Sequence, residues 1–267
     1  MNQVDNFRDY SNVNQKVVET YRLNHRHQTY EYATEMKKKY CVDFDKAYMG
    51  IWDALELANQ IVDESDPDID LPQIHHSIQT AENLKMQFPN NKELHLIGLI
   101  HDLGKVMLLD DFGKLPQWSV VGDIYPLGCQ FNNKIVFHEF FEDNPDNANH
   151  QYNTKYGIYK KNCGLDNITM SFSHDEYLYS VLKNNPNCKI SNENLRIIRY
   201  HSFYPFHKEN AYNYLANDTD MELKSTLHQF SNCDLYSKNN ENKLNIEDLK
   251  PYYLDLINQY CPGKFNW

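Results

Sequence analysis

The chain has 267 residues, of which 41% are hydrophobic, and a formal net charge of −11. This length allows one large domain with a sizeable core, and no Gly/Ser-rich or Pro-rich linker divides residues 1–267. The negative charge disfavours general nucleic-acid binding and favours a neutral substrate over a polyanionic one.

Cysteine usage and hydropathy indicate the cellular setting. The six cysteines are scattered without a C-x-x-C pair, which argues against a disulfide framework and against structural zinc. The polar stretch 1–14 does not have the apolar segment of a signal peptide, and no run approaches the roughly 18 apolar residues of a membrane span. We therefore expect a cytoplasmic, reduced protein that does not enter a membrane. We also predict a monomer.

Helical periodicity dominates the first third of the chain. The pattern predicts a long polar-faced helix over 15–40 and a second helix over 46–62. The buried face of the second helix is predicted to contain Tyr48, Ile51, Leu55, Ala58 and Val62. After an acidic loop at 63–68, a third helix is predicted to open near Asp70 and to carry two adjacent histidines. A fourth, over about 91–103, should end at Gly104.

Residues 105–148 are rich in proline and glycine, which predicts a long loop region with short strands near 119–121 and 135–137. Such a region is often functional, and here it would cover a pocket. Further helices are predicted at about 150–160, from 173, and at 191–202, 208–216, 220–237 and 248–260. Ser173 and Glu176 form a predicted capping box that places His174 at the first helical position. Asp248 would cap the last helix, with Pro251 in its first turn.

Asp234 stands where a charge is not expected. It continues a helical face formed by Leu223, Leu227 and Phe230, at spacings of four, three and four. Burying an unpaired carboxylate is prohibitive, so a positive group must meet it in the core. A buried lysine, a buried arginine or a metal ion would each satisfy this requirement.

Histidines on apolar faces repeat the anomaly. His101 shares a helical face with Leu94 and Ile97, and His201 shares one with Ile197 and Ile198. Histidines and aspartates that converge from separate helices are typical of metal sites in helical proteins. A lone histidine on an apolar face is, however, more often a hydrogen-bonded core residue, so spacing alone leaves both interpretations open.

Four histidines and two aspartates form the candidate site. They are His76, His101, Asp102, His174, His201 and Asp234. This nitrogen and oxygen set suits iron, manganese or zinc, and six ligands fit two metals about 3.5–4 Å apart, bridged by Asp102, better than one. Neither His75 nor His76 is preferred by helical geometry, and a second His-Asp pair at 174–175 shows that the dipeptide alone is weak evidence.

A series of longer motifs spans the chain in a fixed order. It includes HSIQTAE at 76–82, HDLGK at 101–105, PQWSVVGD at 116–123, SHDEYLY at 173–179, HSFYP at 201–205, DLYSK at 234–238 and YCPG at 260–263. The series resembles the myo-inositol oxygenase family of the HD-domain superfamily, from Phe7 to Trp267. The resemblance implies an all-α, single-domain, HD-domain-like fold with a di-iron site between helices.

The resemblance also implies the roles of individual residues. A mixed-valent Fe(II)/Fe(III) pair is implied, with His76 chosen over His75. One iron is assigned to His76, His101, Asp102 and Asp234, and the other to Asp102, His174 and His201. The implied substrate contacts are Arg8, Asp63, Glu64, Ser65, Lys105, Gly122, Asp123, His201, Ser202 and Lys238. Five of these contacts also fit an ordinary role: a helix-end cation for Lys105, a surface lysine for Lys238, loop caps for Asp63 and Ser65, and a surface ion pair for Arg8.

The implied reaction is cleavage of myo-inositol by O₂ to D-glucuronate and water. The neutral polyol agrees with the charge of the chain. Lys105 is the implied catalytic residue: it would hold or deprotonate a substrate hydroxyl, and its ammonium should lose its proton easily beside the metals. Asp63 and Asp123 would accept hydrogen bonds from ring hydroxyls.

Two alternatives use the same residues. The first is a two-metal HD-type phosphohydrolase, since a His…His-Asp…Asp set also serves phosphate hydrolysis. Its substrate would be repelled by the acidic loop at 63–68. The second is a catalytically inactive helical binding module, against which the complete set of six candidate ligands argues.

Overall fold

The computed structural model describes residue 10 and residues 13–64, 73–236 and 244–267. This part of the chain is mostly helical, which confirms the predicted all-α class. Its α-helices are α1 (Gln15–His27), α2 (Tyr30–Tyr40), α3 (Ile51–Ala58), α4 (Gln73–Gln87), α5 (Lys92–Ile100), α6 (Gln117–Val120), α7 (His174–Asn184), α8 (Asn192–Tyr200), α9 (Tyr204–His207), α10 (Asp218–Tyr236) and α11 (Ile246–Tyr260). The predicted contacts Arg8, Ser65 and Lys238 lie outside the described residues.

The predicted helix over 15–40 is in fact two helices. The buried side chain of Gln28 turns inward, where it accepts from the Phe172 amide at 2.9 Å and donates to the Phe172 carbonyl at 2.6 Å. Thr29 then caps α2 by accepting from the amide of Tyr32 at 3.1 Å. A tertiary contact therefore interrupts the helical pattern at a point where the local sequence shows no break.

A small antiparallel sheet replaces the start of the predicted second helix. Strand β1 (Tyr48–Gly50) pairs with β2 (Lys264–Asn266), so that Tyr48 lies opposite Asn266. The prediction of a buried face is wrong for Tyr48 and Val62, which are 66% and 73% exposed, and right for Ile51, Leu55 and Ala58. The partner strand is more than two hundred residues away, so no local pattern announces this pairing.

Short helical turns occupy much of the predicted loop region. They are Leu103–Leu108, Asp110–Phe112, α6, His138–Asp143 and Pro145–Ala148. The predicted strands at 119–121 and 135–137 are wrong, because the first falls in α6 and its C-cap and the second in a turn. The predicted helices at 150–160 and 208–216 are also wrong. Both segments are turns, and a positive φ at Gly157 (55°) and Tyr212 (60°) is incompatible with a continuous α-helix.

Two helix starts differ in detail from prediction. Ser173 does cap α7 and His174 is its first residue, but the Ser173 oxygen accepts from the amide of Asp175 rather than from that of Glu176. The Glu176 carboxylate instead forms ion pairs with Lys37 and Arg199. In the last helix, Asn245 rather than Asp248 is the cap, so Pro251 lies in the second turn.

Close backbone contacts bring the histidine-bearing elements together. A Cβ atom at Gly98 of α5 would lie 2.9 Å from the Cα of Ala81 in α4, and one at Gly104 would lie 2.1 Å from the carbonyl oxygen of His174. Both distances are far below van der Waals contact, so only glycine fits. One cluster of buried side chains, extending from Ala33 to Trp267, surrounds these contacts. Within the described residues, the helices are all too short or too polar to cross a bilayer.

Candidate metal centre

The structure brings all six predicted ligands into one buried cluster. Each is at most 5% exposed. They come from five different elements: His76 from α4, His101 and Asp102 from the end of α5, His174 from the first position of α7, His201 from the end of α8, and Asp234 from α10. Of the adjacent histidines, His76 is the one whose ring meets the two aspartates, and His75 is only half-buried.

One half of the cluster is built around Asp234. The Nε2 atoms of His76 and His101 lie 3.0 and 3.3 Å from its Oδ1. The same two nitrogens lie 3.5 Å each from Oδ2 of Asp102. Two imidazoles therefore face two carboxylates from different helices.

The other half faces the second oxygen of Asp102. The Nε2 atoms of His174 and His201 lie 3.2 and 3.7 Å from Asp102 Oδ1, and 3.3 Å from each other. Asp102 thus offers one oxygen to each half, as a bridging carboxylate would. The distances agree with the predicted division of the ligands, which itself stays a prediction.

The tautomers of three histidines show that this donor set fits a cation. The Nδ1 atoms of His101, His174 and His201 lie 2.8, 2.7 and 2.7 Å from the carbonyl oxygens of Gly98, Val120 and Ile198. A carbonyl can only accept, so each Nδ1 carries a proton, and Nε2 is the nitrogen that each ring turns toward the cluster. With both Nδ1 atoms protonated, the 3.3 Å between the Nε2 atoms of His174 and His201 requires positive charge between them, supplied by a proton or by a metal ion.

The two aspartates are ionised despite their burial. Burial on its own would raise the pKa of the Asp102 carboxyl, but Lys105 and His101 outweigh it and hold that pKa well below its ordinary value. Burial also acts to raise the pKa of Asp234, and hydrogen bonds from His101 and His76 again bring it well below its ordinary value. Negative charge and imidazole lone pairs together are the ligand set of an iron, manganese or zinc site.

Lys105 lies at the edge of the cluster between two carboxylates. Its Nζ is 2.8 Å from Asp102 Oδ2 and 2.8 Å from Asp63 Oδ2. Burial alone would lower the pKa of Lys105, but the charges of Asp102 and Asp63 outweigh it and raise that pKa above its ordinary value. The protein's own charges favour the ammonium, and the expectation that Lys105 loses its proton easily depends on the charge of bound metals and stays a prediction.

The remaining predicted substrate contacts that the structure describes lie in two groups. The carbonyl of Ser202 accepts from the amide of Ile124 at 3.1 Å, which sets Gly122 and Asp123 beside His201. Asp123 is buried and accepts from the Tyr21 hydroxyl at 3.0 Å.

Asp63 and Glu64 form the second group, at the end of the stretch that follows α3. Asp63 reaches the cluster through Lys105. Glu64 is half-buried, and its amide donates to Gln117 Oε1 at 3.3 Å. These contacts fix the main chain at Glu64 beside α6 and assign no partner to its carboxylate.

Several residues around the cluster were missed by sequence reasoning. Gln73 donates to Asp102 Oδ2 at 2.6 Å, and the Tyr204 hydroxyl donates to Asp234 Oδ2 at 3.4 Å. Asp175 is fully buried, and its charge raises the pKa of His201 well above the ordinary value, against the effect of burial. The sequence signal for Asp175 was the second His-Asp pair. Nothing in the sequence alone distinguished this pair from one that occurs by chance.

The protein is therefore a helical protein with a buried centre able to bind metal. Four imidazoles and two ionised carboxylates converge there from separate elements. The chain belongs to the myo-inositol oxygenase family, whose model, described as "Myo-inositol oxygenase", matches residues 14–267.

Named relatives agree with this assignment. The chain is 48% identical to a Dictyostelium discoideum protein named inositol oxygenase over 99% of this chain and 91% of that protein. It is 50% identical to a probable inositol oxygenase of Oryza sativa subsp. japonica over 98% of this chain and 85% of that protein. The corresponding values for inositol oxygenase of Mus musculus are 41%, 98% and 91%. Membership in this family identifies an enzyme, and it does not favour the phosphohydrolase or the inactive binding module.

Proposed function

We propose that the chain cleaves myo-inositol with O₂ to give D-glucuronate and water, at a centre that holds two irons. The observation that supports this most strongly is the position of Asp102, whose two oxygens face two separate sets of imidazole nitrogens. His76, His101, Asp102 and Asp234 would hold one iron, and Asp102, His174 and His201 the other. Bound as an Fe(II)/Fe(III) pair, the irons would supply Lewis acidity toward substrate hydroxyls and reactivity toward O₂.

The side chains beside the centre are proposed to bind and orient the polyol. A ring with six similar hydroxyls needs charged partners to select one orientation, and Asp63 and Asp123 are acceptors suited to this role. Lys105, as an ammonium, would donate to a substrate oxygen and stabilise negative charge developing there. Gly122, Ser202, His201 and Glu64 would complete the wall of the pocket, with Arg8, Ser65 and Lys238 carried over from the family motifs.

The remaining family properties are proposed for the chain as a whole. We propose that residues 1–267 form a single HD-domain-like catalytic domain that acts as a cytoplasmic monomer. The net charge of −11 supports a protein that does not bind nucleic acid. The turns between 105 and 148 would cover the pocket and exclude water from the reaction.

The function is tested by iron analysis and oxygen uptake on the same preparation. We expect about two irons per chain, because the six ligands form two sets that share Asp102. Oxygen consumption should begin only when myo-inositol is added, and glucuronate should form in proportion. If an iron-loaded sample consumes oxygen at the same rate with and without myo-inositol, the proposal is refuted. Phosphate release by a colourless manganese or magnesium form would favour the phosphohydrolase.

Replacing Asp234 by asparagine should weaken one iron selectively. The amide lacks the charge that faces His76 and His101, while the set of Asp102, His174 and His201 stays complete. We expect the iron content after dialysis to fall to about one per chain, and inositol-dependent oxygen uptake to fall at least about 100-fold.

The matched control for this change is Asp220→Asn. Asp220 lies on the same helix, is equally buried, and pairs with Arg196 instead of a histidine. The control should keep both irons. Equal loss of both irons in Asp234→Asn, with both retained in the control, would contradict the proposed division of ligands.

A further inference from the structure

The carboxylate of Asp175 contacts both histidines of one half of the cluster from behind. Its Oδ1 lies 3.0 Å from Nδ1 of His201, and its Oδ2 lies 3.5 Å from Nδ1 of His174. Oδ1 also accepts from the amide of Ser202 at 3.2 Å, and Oδ2 accepts from the hydroxyl of Ser173 at 2.7 Å. The side chain is fully buried, so these four groups determine its position.

These contacts are made to the nitrogens that point away from the cluster. Each Nδ1 also donates to a backbone carbonyl, that of Val120 for His174 and that of Ile198 for His201. A nitrogen that carries a proton cannot bind a metal, so the side of the two rings that Asp175 faces is not the metal-binding side. Asp175 therefore lies behind the two histidines, on the side opposite the cluster.

The fold supports a negative charge at this point. Asp175 is the second residue of α7, and its own amide donates back to the Ser173 hydroxyl at 3.2 Å. The first turn of a helix favours an anion, because its amides and the helix dipole present partial positive charge. Asp175 is thus held as a fixed carboxylate between the start of α7 and the residue that follows His201.

We propose that Asp175 is a positioning residue that holds His174 and His201 as a pair, so that both Nε2 atoms present lone pairs to the same metal. A carboxylate behind a ligating imidazole fixes its tautomer and orientation and makes its free nitrogen a stronger donor. Here one carboxylate acts on two rings, so the geometry of both ligands depends on one side chain. The inference rests on the proposed division of ligands between two irons.

The test is a metal titration of Asp175→Asn. The amide keeps the shape of the side chain but loses its charge, and its NH₂ group can point at an Nδ1–H, where it repels. Partners of this kind typically contribute about 10–100-fold to metal affinity. We expect the affinity for one Fe(II) to fall by about that factor, with the other Fe(II) bound as in the wild type. The readout is the two binding constants from competition with a chelator, measured without substrate.

The binding constants of Asp175→Asn are compared with those of a control variant and of the wild-type protein. The control Asp220→Asn removes a carboxylate that is equally buried and should leave both binding constants unchanged. Wild-type protein that binds fewer than two irons would defeat the proposed function, whatever Asp175 does. If both iron-binding constants of Asp175→Asn equal those of the wild type, or if both are weakened equally, the positioning role is overturned.

A second variant is available if Asp175→Asn does not fold. Ser173→Ala removes the hydroxyl that holds Oδ2 while keeping the carboxylate. We expect it to weaken the same iron by a smaller factor than Asp175→Asn, and two unchanged binding constants in this variant would overturn the inference.

Discussion

Asp102→Asn is expected to lose both irons and all measurable inositol-dependent oxygen uptake. The substitution removes the one negative charge that faces both halves of the cluster, at 3.5 Å from His76 and His101 and 3.2 Å from His174. It also replaces one of the two oxygens by an NH₂ group, which cannot bind a cation. Since partners that only contact a ligand contribute about 10–100-fold, loss of a ligand shared by both metals should reduce the rate by more than about 100-fold.

Comparison with two other variants separates this effect from misfolding. Asp220→Asn should keep about two irons and near wild-type oxygen uptake, and Asp234→Asn should keep about one iron. Plasma emission analysis of dialysed samples, with circular dichroism to confirm the helical fold, measures all three. An Asp102→Asn protein that retains two irons at wild-type affinity would show that this carboxylate is not the bridge.

Lys105→Met is expected to keep its iron and lose turnover. Methionine has a similar length without the ammonium, so the pocket stays filled while the donor to the substrate is lost. A positioned proton donor or acceptor typically contributes about 100- to 10,000-fold to the rate, and we expect kcat to fall within this range. Asp63 loses its ammonium partner at 2.8 Å, so some loss of thermal stability should accompany the change.

Lys224→Met is the matched control for Lys105→Met. Lys224 is a partly buried lysine of α10 that donates to the side-chain oxygens of Asn210 and Asn213. Its replacement should leave kcat unchanged. Oxygen-electrode measurements over a range of inositol concentrations give kcat and KM for both variants. A Lys105→Met enzyme with wild-type kcat would remove Lys105 from the mechanism, whereas a change in KM alone would restrict it to binding.

The buried charge of Asp234 was predictable because its signal lies in the local sequence. Asp234 interrupts an otherwise apolar helical stripe, and a misplaced charge at helical spacing is visible in one sequence. Helix spacing also identified most of the elements that carry the ligands. The choice of His76 over His75 required the family resemblance, since two neighbours on a helix point in different directions and nothing local selects between them.

The parts that were not predicted depend on distant partners. Gln28 ends α1 because it binds the main chain of Phe172, more than a hundred residues away. The strand at Tyr48 exists because Asn266 pairs with it. Asp175 differs from any other acid after a histidine only because α8 places His201 beside it. In each case the local residues permit several structures, and the tertiary contact selects one.

The glycine contacts have a consequence for redesign of the enzyme. The spacing between α4 and α5, and that between the turn at Gly104 and α7, is set by main-chain atoms that touch directly. Widening the cavity for a bulkier polyol by moving these elements would separate the imidazoles that they carry. Enlargement must therefore come from trimming side chains that face the substrate, with the framework of helices left as it is.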